Sequence, residues 1–103
     1  MEKQYDLALA DFDRAIVLKP DYAPAYLNLG NVYASQGLHE KAIEQYNKAL
    51  SLREDFAAAY FNRAHKYALL GRAELAERDY QKAKDLGYGP AIQYLEKLKT
   101  RQE

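Results

Sequence analysis

Ala25-Tyr26-Leu27-Asn28-Leu29-Gly30-Asn31-Val32-Tyr33 is the stretch that decides the fold, because a second copy of it follows at a fixed offset. Tyr26 lands on Tyr60 (60 − 26 = 34), and by the same step Asn28 lands on Asn62, Gly30 on Ala64 and Tyr33 on Tyr67. The register continues: Gly37 meets Gly71, Ala42 meets Ala76, Tyr46 meets Tyr80, Ala49 meets Ala83 and Leu52 meets Leu86. Moved backward, the second half of the unit finds Ala8, Phe12, Ala15 and Leu18. A fixed period of this length marks a stacked repeat array.

Within each unit the apolar residues recur at three- and four-residue steps, the period of a half-buried helix. Ala42, Ile43, Tyr46, Ala49 and Leu50 make one such stripe; Leu7, Ala8, Phe12, Ala15, Ile16 and Leu18 make another. The breaks are chemical. Pro20 disfavours helix in the residue before it, and Pro24 suits a first helical turn. Gly37, Gly71 and Gly87 suit left-handed C-caps. The pattern predicts six helices, at about 3–18, 23–36, 39–52, 57–70, 73–86 and 91–101, with no strand. Connections of two to four residues force neighbouring helices antiparallel. Small residues (Ala8, Ala42 and Ala76; Ala15, Ala49 and Ala83) alternate with aromatics (Tyr26, Tyr60 and Tyr94; Phe12, Tyr46 and Tyr80). Large against small at fixed places gives interdigitation at interior density.

Bulk composition narrows the function. A chain of 103 residues is one domain. Fifteen basic residues balance fifteen acidic ones, so the basic excess of a nucleic-acid binder is missing. The absence of cysteine removes disulfides, thiolate zinc sites and cysteine nucleophiles. Neither a signal core nor a span of about 18 apolar residues occurs, and the expectation is a soluble, cytoplasmic protein without a nucleic-acid or membrane partner.

On these residues the sequence resembles the tetratricopeptide repeats, whose pattern is an aromatic, two residues, Leu-Gly, two residues, Tyr, then Ala, three residues and an aromatic. Tyr26, Leu29, Gly30, Tyr33, Ala42 and Tyr46 match in one copy, and Tyr60, Ala64, Tyr67, Ala76 and Tyr80 in the next. Ala8, Phe12 and Pro20 match in a leading half copy. Arg63 departs from the leucine and Glu54 from the inter-repeat proline. The resemblance implies an all-α, right-handed superhelix of antiparallel helix hairpins. Its parts would be a partial repeat at 1–22, repeats at 23–56 and 57–90, and a capping helix at 91–103. It also implies a non-catalytic module that binds a protein or peptide partner on a concave face lined by the first helix of each hairpin.

Projected onto that face are Leu27, Asn28, Asn31, Ala34 and Ser35, then Phe61, Asn62, His65, Ala68 and Leu69, and from the cap Ile92, Leu95, Glu96 and Lys99. A carboxamide both donates and accepts, so Asn28, Asn31 and Asn62 suit the backbone of an extended peptide; Leu27, Phe61 and Leu95 suit its side chains. Some members of the family clamp a terminal carboxylate. Asn31 and Asn62 match its asparagine places, but Leu27, Ala58, Ile92 and Glu96 stand at the basic ones, which argues against that ligand. His65 has Arg63 and Lys66 beside it and no second ligand at helical spacing, and so reads as neither metal site nor general base. No phosphate loop or nucleophile motif appears, and neither cofactor nor metal is expected.

The chain begins at the second helix of a hairpin. The apolar side of residues 3–18, with Tyr5, Leu9 and Ile16, would have faced the missing first helix. Two expectations compete: a piece of a longer array, or self-association through that face. The structural alternative to a peptide groove is accordingly a self-assembling scaffold segment, and it predicts an oligomer whose population rises with concentration.

Overall fold

The computed structural model describes residue 14 and residues 18–102. The first expected helix lies almost wholly outside that range, and so do Tyr5, Leu9 and Ile16. Among the described residues there are therefore five helices rather than six: α1 (Ala23–Ser35), α2 (His39–Leu52), α3 (Ala57–Leu69), α4 (Ala73–Asp85) and α5 (Gly89–Gln102). No strand occurs among them. Each helix packs on the next, and α1 also touches α3, so the first helices of successive hairpins lie side by side.

Within each hairpin a glycine makes the turn. Gly37 and Gly71 take φ of +79° and +77°. Gly37 N–H donates to the Ala34 carbonyl at 3.0 Å and Leu38 N–H to Tyr33 at 2.9 Å; Gly71 and Arg72 repeat both bonds to Ala68 and Tyr67. These paired bonds satisfy carbonyls that the ending helix leaves open. Between hairpins an aromatic does the equivalent work. Tyr26 donates its hydroxyl to the Pro20 carbonyl and Tyr60 to the Glu54 carbonyl, each at 2.8 Å and each six residues back.

The core is small residues under large ones. Ala42, Ala49, Ala59, Ala64 and Ala83 are completely buried, and Tyr46 is 1% exposed. Gly30 exists for Tyr46: a Cβ built there would stand 2.5 Å from Tyr46 Cε1 and 3.1 Å from the Ala42 carbonyl oxygen. Alanine would gain about 1 kcal/mol of helix propensity over glycine, but overpacking a filled core costs about 1–3 kcal/mol. The overlap is below contact distance and the ring has nowhere to go, so Gly30→Ala is expected to lose about 1–2 kcal/mol net, read by urea unfolding.

The last helix breaks the period. The start of α3 follows that of α1 by 57 − 23 = 34, whereas the start of α5 follows that of α3 by only 89 − 57 = 32. The cause is the end of α4. Where α2 runs 14 residues and leaves through Arg53 in an extended conformation, α4 runs 13. It then closes on Gly87 at φ +83°, with Tyr88 N–H donating to Ala83 at 3.0 Å. Pro90 therefore takes the place of Pro24 one residue inside its helix, and Ala91, completely buried, takes that of Ala25 and Ala59. Ile92 stands where Tyr26 and Tyr60 stand, and Tyr94 where Asn28 and Asn62 stand. Expectations for α5 that counted by 34 are displaced by two residues, a little over half a helical turn.

Candidate functional site: the shared face of the first helices

Two tyrosines from the second helices hold this face in order. Tyr46 donates its hydroxyl to Asn31 Oδ1 at 2.5 Å, and burial pushes that phenol up to about 12. One repeat on, Tyr80 meets His65 Nδ1 at 2.7 Å. His65 stands one full period after Asn31 (65 − 31 = 34), so the two bonds occupy one place in successive repeats. Asn62 then donates Nδ2–H to the same Asn31 Oδ1 at 3.1 Å, tying α3 to α1.

The expected site residues separate accordingly. Asn28 is exposed and its side chain hydrogen-bonds to no described residue; Leu69 is 64% exposed. Asn31 and Asn62 are present on the face but bonded to each other. The Ser35 hydroxyl donates to the Asn31 carbonyl at 3.0 Å, so it caps its own helix turn. Leu27 is half-buried against Tyr26, Ala49 and Ala59, in the seam between repeats rather than in an open pocket. Phe61 is likewise occupied, at the centre of a ring cluster: its centroid lies 4.5 Å from His65, 5.7 Å from Tyr80, 5.5 Å from Tyr88 and 6.1 Å from Tyr94. Leu95, which the count by 34 makes the partner of Leu27 and Phe61, packs against Ala64, Ala76 and Tyr80 because α5 starts early.

Three participants escape a sequence reading. Tyr94 covers His65 at 5.3 Å and Tyr80 at 4.5 Å, the place that Asn62 occupies over Asn31. Burial, and then the hydrogen bond and charge of Tyr94, push the Tyr80 phenol upward. Lys66 joins Asn31, Ala34, Ser35, Tyr46, Asn62 and His65 around a recess of about 380 Å³ between α1 and α3. Arg63 reaches the other way. It grips Asp79 on α4 through Nε and Nη2, at 2.6 and 2.8 Å, and donates through Nη1 to Asn47 on α2 at 2.7 Å. Burial opposes its charge, but the Asp79 hydrogen bonds and carboxylate outweigh it and the guanidinium pKa is raised. No cluster of His, Cys, Asp or Glu among the described residues could hold a metal ion, and no described helix is long and apolar enough to cross a membrane.

His65 gives the face a pH dependence. Burial, and secondarily Lys66, lower its pKa below the ordinary 6.5. A lowered folded-state pKa means that the unfolded chain binds the proton better. The contribution to stability is complete above the unfolded value of about 6.5 and is lost as pH falls through the folded one. His65→Gln keeps an acceptor and removes the titration, so the difference in stability between parent and variant is expected to change between about pH 7 and pH 5, measured by thermal melting.

Helical hairpins presenting the faces of their first helices as one continuous surface define a class: helical-repeat scaffolds for protein interaction. The model described as "TPR repeat" matches residues 2–37 and 30–71, and the model described as "Tetratricopeptide repeat" matches residues 57–86. The chain belongs to the tetratricopeptide repeat family. Among solved structures it is similar to "Crystal structure of MamA", with 36% identity, a TM-score of 0.79 and coverage of 89% of this chain and 54% of that one. A second MamA structure matches at 37% identity and TM-score 0.75, over 84% of this chain and 47% of that one. The chain thus spans about half the length of the MamA structures it matches. The second TPR of Spaghetti (RPAP3), a structure bound to the HSP90 peptide SRMEEVD, shares the fold. Its TM-score is 0.77 and its identity 22%, over 82% of this chain and 79% of that one. No curated protein matches.

Proposed function

We propose that the chain is a non-catalytic interaction module that takes a short peptide, or one edge of a partner helix, along the shared face of α1, α3 and α5. The observation that carries this reading is the recess between α1 and α3. Asn31 is held there by Tyr46 and Asn62 through its oxygen alone, which leaves its NH₂ as a fixed donor that no described residue uses, beside exposed Asn28. Asn31 is exposed, and the fold occupies one half of its carboxamide and presents the other. Pre-ordered groups bind with less entropy lost. The Spaghetti repeat carries its peptide on the same fold, which supports the reading by analogy of fold alone.

A random heptapeptide phage selection on the whole chain tests it. Enriched peptides are expected to bind the parent and an Arg78→Ala variant, on the outward side of α4, alike. They are expected to lose at least about tenfold in affinity for Ala34→Arg, which fills the recess. Equal binding to Ala34→Arg at unchanged helicity by circular dichroism would place the ligand elsewhere and end the proposal.

A further inference from the structure

The shared face carries not one recess but two, in the same register, and their chemistries differ. Ala34 and Tyr46 line the first, between α1 and α3; Ala68 and Tyr80, their equivalents one period on, line the second, against α5. The second, of about 460 Å³, brings Ala68, Ala73, Ala76, Leu95 and Leu98 together as an apolar lining, with Glu77 and Lys99 as its charged members. It opens where the array would otherwise be closed. Glu77 stands where buried Ile43 stands one repeat earlier, and the early start of α5 puts Lys99 where Tyr67 stands in α3.

The first recess is polar and positively biased. Lys66 is its only formal charge, no carboxylate lines it, and Lys66 forms no ion pair with a described residue. Asn31 offers NH₂. Tyr46 can only donate to the Asn31 oxygen, so the Asn31 NH₂ stays directed into the recess. His65 lines the recess beside the ammonium.

From this pair of recesses, and resting on the peptide-binding reading above, we infer that the module recognises two side chains at once. One is an acidic side chain, seated at Lys66, His65 and Asn31. The other is a large aliphatic side chain, seated on Ala68, Ala76, Leu95 and Leu98. Packed helices lie about 8–10 Å apart, and so do recesses set between successive first helices. A chain in the polyproline II conformation advances about 3.1 Å per residue and returns a side chain to the same side every third residue, so the two side chains belong about three residues apart. The acidic side chain meets a single lysine and neutral donors, and the apolar one supplies burial; neither requires a chain terminus.

Fluorescence anisotropy with labelled Gly/Ser decapeptides, each carrying one Glu and one Leu at separations from one to six residues, tests this. Binding to the whole chain is expected to be tightest near a separation of three. Changing Glu to Gln in the peptide, or Lys66→Ala in the protein, should each weaken it about tenfold, and the second change should add little to the first. Leu98→Asp should remove the benefit of Leu and keep the benefit of Glu. Equal binding of Glu and Gln peptides, or no preference among separations, would overturn the inference. If such peptides still lose affinity for Ala34→Arg, the groove reading survives without it. If neither these peptides nor selected ones bind, both fall.

Discussion

Asp79→Ala is expected to destabilise the chain by about 3–5 kcal/mol, the usual cost of removing one partner of a buried ion pair. Side-chain exposure is 18% for Arg63 and 8% for Asp79, so neither charge can turn to water without opening the seam. The guanidinium also lies 5.5 Å over Tyr60 and 5.6 Å over Tyr67, and its remaining arm holds Asn47. It joins α3 to the second helices of both repeats. The first repeat solves the same place without charge, with buried Leu29 opposite Gln45 (63 − 34 = 29, 79 − 34 = 45). Arg63→Leu alone is expected to cost about as much as Asp79→Ala, because it strands a carboxylate. Arg63→Leu with Asp79→Gln restores the arrangement of the first repeat, and is expected to return to within about 1 kcal/mol of the parent. Urea unfolding of the parent, Arg63→Leu, Asp79→Gln and the double variant gives the coupling. Additive losses would show that the pair acts through packing and not through charge.

Arg63 also marks where local pattern stops being informative. The period of 34, the glycine turns and the alanine–tyrosine alternation are local facts, and each predicted element from α1 to α4 stands within a residue of its place. In the sequence Arg63 reads as a bare departure from the repeat pattern, because its partner lies 16 residues away on the next helix and nothing in the chain pairs them. The displacement of α5 is hidden for another reason. A period counts residues, while a helix end is decided by which glycine takes a positive φ, and Gly87 brings α4 to a stop sooner than Arg53 stops α2. Leu95 moves into the packing with it. The site is half legible: that Asn28, Asn31 and Asn62 share a face follows from spacing. That Tyr46 and Asn62 both take the Asn31 oxygen, and that Lys66 joins them, depends on the seam between α1 and α3.

Tyr46→Ala is the second large effect, at about 3–5 kcal/mol, the cost of deleting a buried aromatic ring. Tyr46 is the largest side chain so completely covered among the described residues, and its ring fills the space that Gly30 leaves open. Tyr46→Phe keeps that ring and removes only the hydroxyl. Its cost is expected to be about 1 kcal/mol, because Asn62 still satisfies the Asn31 oxygen from α3. The two variants therefore separate the tyrosine's two tasks. If the ring holds the hairpin and the hydroxyl aims the Asn31 amide into the recess, Tyr46→Phe should melt within a few degrees of the parent yet bind selected peptides several-fold more weakly. Tyr80→Phe makes the same cut one repeat on, removing the hydroxyl at His65 Nδ1 while leaving Asn31 bonded. Affinity that falls with both phenylalanine variants would show that the face depends on hydroxyls reaching through from the second helices, and that peptide recognition here is set from behind the surface that the peptide touches.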